Sequence, residues 1–142
     1  MNRAEFEELR DLPGKRIVRD VILKRKKEGS VVFASGAVPI EAECSAVANL
    51  YVEYNDATES KTVNVMIVGV GPICRLDVDG KIHRPAGRSH KHSLRTPECP
   101  SDNLPLAVID RSDLSGQSLQ RVFAEFCAMA HIDHDGTITI VD

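Results

Sequence analysis

Two runs of residues alternate with a period of two, and they constrain the fold more than any other feature of this chain. Such alternation predicts β-strands whose successive side chains point to opposite faces of a sheet. In residues 46–54, one set is Ala46, Ala48, Leu50, Val52 and Tyr54, and the other is Val47, Asn49, Tyr51 and Glu53. In residues 62–67, Val63, Val65 and Ile67 alternate with Thr62, Asn64 and Met66.

The second run predicts one long strand that extends over residues 61–80. Residues 69–72 contain two glycines and a proline, which weaken regular pairing and indicate a bulge or bend within that strand. We expect the strand to resume at Ile73 and to end at Asp79 and Gly80.

The N-terminal part predicts a short helix followed by a hairpin. Asn2 with Glu5 has the spacing of a capping box, and the helix should end before Pro13, with Phe6 and Leu9 on its buried side. Residues 15–26 and 30–40 are rich in β-branched side chains, and the turn residues Glu28, Gly29 and Ser30 between them predict the hairpin.

The C-terminal part predicts a strand, a helix and a last strand. Residues 104–110 and 137–141 have strand character, and residues 133–136 resemble a turn. Ser115 or Asp113 could cap the helix. Its apolar side chains have the spacing of an amphipathic helix and are Leu119, Val122, Phe123, Phe126 and Ala130. The sequence thus predicts an α+β fold: a curved antiparallel sheet with a short N-terminal helix and a C-terminal amphipathic helix packed on one face.

Composition places the chain among single-domain globular proteins. We expect one domain over residues 1–142, since 142 residues can bury a core and 27% charged residues is an ordinary share. The first residues lack the apolar region of a signal peptide, and no run is long enough for a membrane helix, so the expectation is a cytoplasmic protein. Cys44, Cys74, Cys99 and Cys127 lack the close spacing of zinc or redox motifs and are interpreted as reduced, mostly buried thiols. No cofactor is expected.

Positive charge is concentrated in two segments although the net charge is −3. Residues 10–27 hold eight of the 18 Lys and Arg residues, and residues 75–95 hold six more. If the segments were neighbours, they would form a positive surface that attracts phosphates. The candidate phosphate-binding residues are Arg75, Arg84, Arg88, Lys91, Lys24, Arg25 and Lys26.

Histidines cluster within residues 81–103, the longest irregular stretch of the chain. His90 and His92 are two residues apart, so their side chains can converge if the segment is extended. Arg75 and Asp77 have the same relation just before the loop, and His83 lies between the two pairs. Three chemistries fit this cluster.

One chemistry is metal-independent cleavage of RNA. Histidine can serve as acid or base near neutral pH, arginine can stabilise the charged transition state, and Asp77 can orient a histidine. A second is metal binding through His90 and His92, although the later glutamate that this arrangement usually requires is misplaced. In the third, the cluster is structural, and the basic residues hold a nucleic acid or an acidic partner without chemistry.

The order "RLD" at Arg75–Asp77, then His83, then "HKH" at His90–His92 resembles small toxin-like proteins of bacterial toxin–antitoxin pairs and related uncharacterised phage and prophage proteins. The resemblance covers roughly residues 63–130 and includes "DNLPL" at residues 102–106. This chain departs from the pattern at Ile82 and Ser89, where those proteins often have a further histidine. The resemblance implies an RNA-directed toxicity with an antitoxin as partner, whereas a phage-encoded inhibitor would have a host protein complex as partner.

The favoured hypothesis is a cytoplasmic protein of this type that acts on RNA. His90 and His92 would be acid and base, His83 an auxiliary group, Asp77 the orienting carboxylate and Arg75 a phosphate ligand. The alternatives are a non-enzymatic interaction protein, for example a phage-encoded inhibitor that uses a basic face, and a metal-binding enzyme.

Overall fold

A computed structural model describes residues 3–44, 46–80, 88–92 and 108–142, with the backbone alone at residues 3, 6, 7, 90–92, 108 and 109. Two α-helices are present in this part, α1 (Arg3–Asp11) and α2 (Leu119–Met129), together with a 3₁₀ turn at Ser112–Leu114. The strands are β1 (Lys15–Ile17), β2 (Val21–Arg25), β3 (Val32–Ala34), β4 (Val38–Ile40), β5 (Ala48–Asn55), β6 (Lys61–Ile67), β7 (Gly71–Val78), β8 (His90–His92), β9 (Val108–Asp110), β10 (Ile132–His134) and β11 (Ile138–Val141).

Nine of the described strands form one mixed sheet, and the α+β class predicted from sequence is confirmed. Their order is β11-β2-β3-β5-β6-β7-β8-β9, with β4 also paired to β5. Every pair in this sheet is antiparallel except β11 with β2, so the sheet is mixed where an antiparallel one was expected. β1 and β10 form a separate parallel pair. No helix within the described ranges is long and apolar enough to cross a membrane.

The single long strand predicted over residues 61–80 is wrong, because the chain reverses direction in its middle. β6 and β7 are antiparallel neighbours joined by a turn at residues 68–70, where Gly69 adopts a φ of 78°. This backbone conformation is accessible to glycine at little cost. The pairing register shifts between Val65 and Met66, so the irregularity expected near Pro72 lies in the hairpin that replaces the strand.

One face of this sheet carries the core, and helix α2 packs on it. Phe126 and Val122 of α2 are fully buried, as are Val63 of β6 and Leu76 of β7. The predicted apolar face of the helix is confirmed, but its cap is Ser118, whose side chain accepts a hydrogen bond from the Arg121 backbone N–H, instead of Ser115 or Asp113.

Two of the four cysteines belong to the core, as expected. Cys74 and Cys127 are buried free thiols, whereas Cys44 is exposed and Cys99 lies outside the described residues. Burial raises the pKa of the Cys127 thiol to about 12, which suppresses its thiolate form.

A buried lysine joins helix α1 to the body of the protein. Lys15 is only 4% exposed, and its Nζ donates to the carbonyl oxygens of Leu9, at 2.8 Å, and of Arg10. These carbonyls lie in the last turn of α1, where the helix leaves backbone acceptors without helical partners. Burial lowers the pKa of Lys15 from 10.5 to about 8.

We expect Lys15 to make stability rise with pH. Below about pH 8 the amine is protonated in both the folded and unfolded states, and the cost of burying its charge is fully present. Between about pH 8 and 10.5 the unfolded chain binds the extra proton, so the contribution of Lys15 to the free energy of unfolding should increase by up to about 3 kcal/mol. Lys15→Met should abolish this increment in urea denaturation, and the exposed Lys27→Met should retain it. Parallel profiles for Lys15→Met and the wild type would contradict the assignment.

Candidate functional site

The register of β7 with β8 brings the two predicted residue pairs side by side. Asp77 is paired with His90, and Arg75 is paired with His92. Directly paired residues of an antiparallel sheet share a face, with Cβ atoms about 5 Å apart. The backbone at His90–His92 is extended, and positions 90 and 92 lie on the sheet face of Arg75 and Asp77.

Asp77 is a buried carboxylate that two neighbouring side chains hold in place. It is 7% exposed, and its oxygens accept hydrogen bonds from Arg75 Nε at 3.1–3.2 Å and from Arg75 Nη2 at 3.2 Å. Thr62, its register partner on β6, donates its hydroxyl to Asp77 Oδ1 at 2.8 Å. Burial of a charge requires such compensation, because the carboxylate has lost most of its water. These hydrogen bonds therefore fix the orientation of the carboxylate.

Arg75 has guanidinium donors that its contacts with the described residues leave unused. Asp77 engages Nε and Nη2 of the guanidinium, and Nη1 carries two further N–H groups. The Arg75 side chain is 36% exposed, so it is accessible to an anion while Asp77 restrains its position. This is the arrangement expected of a preorganised phosphate ligand.

Asn64 adds an unusual acceptor next to Arg75. It is the register partner of Arg75 on β6, and in the described part of the chain its Oδ1 is buried without a hydrogen-bond donor. A buried acceptor without a partner costs free energy, so it requires an explanation in this position.

Asp110 is a further site residue that the sequence reasoning missed. Position 90 is paired with Asp77 on one side and with Asp110 of β9 on the other. Position 92 is paired with Arg75 and with Val108. The aspartate is the last residue of a predicted strand, but its relation to His90 depends on a pairing that no local pattern reveals.

The other predicted residues of the histidine loop do not all join this group. Lys91 is paired with Leu76, which places its position on the opposite, core-facing side of the sheet. Arg88 is exposed, and its Nε donates to the carbonyl of Gly80 at 3.1 Å. His83 and Arg84 lie outside the described residues.

Lys24 and Arg25 of β2, and Lys26 directly after it, are distant from Arg75 and do not all share its face of the sheet. Lys24 is on the sheet face of Arg75, but β2 and β7 are four strand spacings apart, roughly 19 Å. Arg25 is on the other face, where it bonds Asp142 at 2.9 Å and stacks on Phe33. Lys26 forms an ion pair with Glu53 at 2.6 Å. Of these three residues, Lys24 and Lys26 lie on the sheet face of Arg75.

A cleft of about 780 Å³ lies elsewhere, between α2 and strands β10 and β11. Its walls include the apolar side chains of Phe123, Ile132 and Ile138. His134 also lines it, with Nε2 at 2.8 Å from the Arg19 carbonyl oxygen. The lining of the cleft includes none of the candidate catalytic or phosphate-binding residues.

No group of three or more potential ligands from His, Cys, Asp and Glu comes together among the side chains that the structure describes. Comparison with protein-family models, with curated proteins and with solved structures finds no significant match to this chain. Its site must be interpreted from its own residues.

We expect Arg75 and Asp77 to be energetically coupled. In a double-mutant cycle with Arg75→Met and Asp77→Asn, urea denaturation should give a coupling energy of about 1 kcal/mol or more, because the carboxylate is buried. The exposed pair Arg25–Asp142 is the matched control and should give less than about 1 kcal/mol. Equal coupling in the two pairs would show that burial of Asp77 has no energetic consequence.

Proposed function

We propose that this chain acts on RNA and cleaves it without a metal ion, through the histidine strand β8. The observation that carries the proposal is the buried Asp77, which Arg75 and Thr62 orient and which is the register partner of His90. A fixed carboxylate beside a histidine can set the tautomer and orientation of the imidazole, which is what acid–base catalysis requires.

The reaction transfers a phosphoryl group of the RNA backbone from the 5′-oxygen of one ribose to the 2′-oxygen of the preceding ribose. A base removes the proton of the 2′-hydroxyl, the 2′-oxygen forms a bond to phosphorus, and the bond from phosphorus to the 5′-oxygen breaks. An acid returns a proton to that 5′-oxygen. The products are a 2′,3′-cyclic phosphate and a 5′-hydroxyl, and no oxidant, metal or other reactant is consumed.

The register suggests how the two histidines divide these roles. Position 90 lies between Asp77 and Asp110, and neighbouring carboxylates favour the protonated imidazole, so His90 is the acid. Position 92 lies between Arg75 and Val108, and a neighbouring cation and an apolar residue favour the neutral imidazole, so His92 is the base.

Arg75 and Asn64 complete the proposed substrate site. Nη1 of Arg75 binds a nonbridging phosphate oxygen, and the charge that grows on that oxygen strengthens the interaction in the transition state. The buried Oδ1 of Asn64 accepts a hydrogen bond from a ribose hydroxyl, which would relieve its lack of a donor. The contact to Arg75 Nη1 leaves the Asp77–Arg75 pair in place, whereas the buried Oδ1 of Asn64 must first become exposed to reach the substrate. The resemblance to toxin-like proteins supports a setting in which an antitoxin restrains this activity.

The test is incubation of the purified protein with a mixed RNA pool, with and without EDTA. Cleavage should persist in EDTA and fall by about 10²-fold or more in His92→Ala, while the melting temperature stays nearly unchanged. His131→Asn, in the exposed turn after α2, is the matched control and should cleave like the wild type.

Full activity in His92→Ala would contradict the proposal, as would the absence of cleavage in every lane. Cleavage that is lost in EDTA would assign the histidines to a metal site instead.

A second candidate is RNA or protein binding without chemistry, and Lys24 and Lys26 favour it. They lie on the sheet face of Arg75. A bound RNA strand could extend from these lysines to Arg75 across β2, β3, β5 and β6. Lys24→Glu with Lys26→Glu should then weaken binding of single-stranded RNA and reduce its salt dependence by about one phosphate contact per lysine.

Lys27→Glu, in the turn after β2, is the control for this change of charge, and fluorescence anisotropy at two salt concentrations is the measurement. Equal binding by all three proteins would reject this surface.

A further inference from the structure

We propose that Asp79 is a positioning residue, which holds β8 in the register that sets His90 opposite Asp77. The catalytic consequence of this inference rests on the proposed function, but the register of β8 can be tested without it. Asp79 lies two residues after Asp77, at the point where the chain leaves β7.

The Asp79 backbone and carboxylate connect β7 to the start of β8. The Asp79 N–H donates to Ser89 Oγ at 3.0 Å, and Ser89 Oγ lies 3.4 Å from Asp79 Oδ1. Ser89 directly precedes β8 and is only 3% exposed. Because its side chain is buried and bonded to Asp79, Ser89 fixes the position at which β8 begins.

The same carboxylate is anchored from the opposite side. Ser115 Oγ donates to Asp79 Oδ1 at 2.5 Å, and the Gly116 N–H donates to Oδ2 at 2.8 Å. Ser115 and Gly116 follow the 3₁₀ turn and precede α2, so Asp79 ties the histidine strand to the segment that leads into the core helix.

A second set of backbone bonds supports this position of Ser89. The Arg111 N–H donates to the Ser89 carbonyl at 2.9 Å, which joins β8 to the residue after β9. The Gly80 N–H donates to the Arg88 carbonyl at 3.0 Å. The start of β8 is thus held from both neighbouring strands, and Asp79 supplies the side-chain part of this restraint.

Asp79 adopts a backbone conformation that costs energy for a residue with a side chain. Its φ is 55°, in the left-handed region, where aspartate and asparagine are the residues best tolerated after glycine. Burial acts to raise its pKa, but the hydrogen bonds from Ser115 and Gly116 outweigh burial, and the pKa is below its usual value. The residue therefore remains a charged acceptor at neutral pH.

A purely structural role, in which Asp79 only fixes the turn before α2, makes a different prediction from the positioning role. Ser89→Ala removes the contacts between Asp79 and the Ser89 hydroxyl, directly before β8. It leaves the hydrogen bonds from Ser115 and Gly116 to Asp79 in place. Ser115→Ala removes the turn contact and leaves Ser89 in place. If Asp79 acts on β8, only the first change should affect His90.

The experiment follows the pKa of His90 by NMR, from the pH dependence of its imidazole Cε1–H signal in the full chain. The described groups paired with position 90 are Asp77, itself bonded to Arg75, and Asp110, so the wild-type pKa should be above the usual 6.5. In Asp79→Asn and in Ser89→Ala it should fall towards 6.5 by about 0.5 or more, since Asp77 and Asp110 are no longer held in register with position 90.

Two matched variants should leave this pKa unchanged. They are Ser115→Ala and Asp113→Asn, the second an exposed carboxylate of the neighbouring turn that pairs with Arg111. If RNA is cleaved, Asp79→Asn and Ser89→Ala should also lower kcat more than they raise KM, because the substrate contacts of Arg75 remain.

An unchanged His90 pKa in folded Ser89→Ala would overturn the proposal, and so would an equal fall in Ser115→Ala. Ser89→Ala carries the test alone if Asp79→Asn fails to fold. Because the NMR measurement uses no RNA, a failure of the proposed cleavage and a failure of Asp79 as a positioning residue are distinguished.

Discussion

The reversal of the chain between β6 and β7 is the constraint on which the rest of the structure depends. If residues 61–80 formed one straight strand, Thr62 and Asp77 would be roughly 50 Å apart. The turn at residues 68–70 instead makes them register partners at hydrogen-bonding distance. The same pairing aligns Val63 with Leu76 on the other face, under helix α2. One local reversal thus assembles both the core and the candidate site.

The elements that the sequence predicts well are those whose signal is local. The helix α2 has an apolar stripe, and the β2–β3 hairpin has a turn with Gly29 between two β-branched runs, so each is visible in a short window. The reversal at Gly69 was predicted only as a bulge or bend, because a glycine with a positive φ serves either purpose. The parallel pairing of β11 with β2 has no local signal at all.

The candidate site also has a part that local sequence signals predict and a part that depends on strand pairing. Arg75 with Asp77 and His90 with His92 are pairs within a strand, and the period of two is enough to place each pair on one face. Thr62, Asn64 and Asp110 reach the site across neighbouring strands, and a single sequence does not contain that register. Alternation also separates residues: Lys24 and Arg25 are adjacent in sequence but lie on opposite faces of β2.

The two parallel pairings have a consequence for how the protein folds. β1 pairs with β10 and β2 with β11, so residues 15–25 meet residues 132–141 across a separation of 117 positions. Closing a chain segment of that length costs about 4 kcal/mol in entropy, and the cost precedes the contacts that repay it. During synthesis, the hairpins from β2 to β7 can form on the ribosome, but β2 cannot pair with β11 until residues 138–141 have emerged. Until then an edge of the growing sheet stays open, which makes this interval the one in which the chain is most exposed to aggregation.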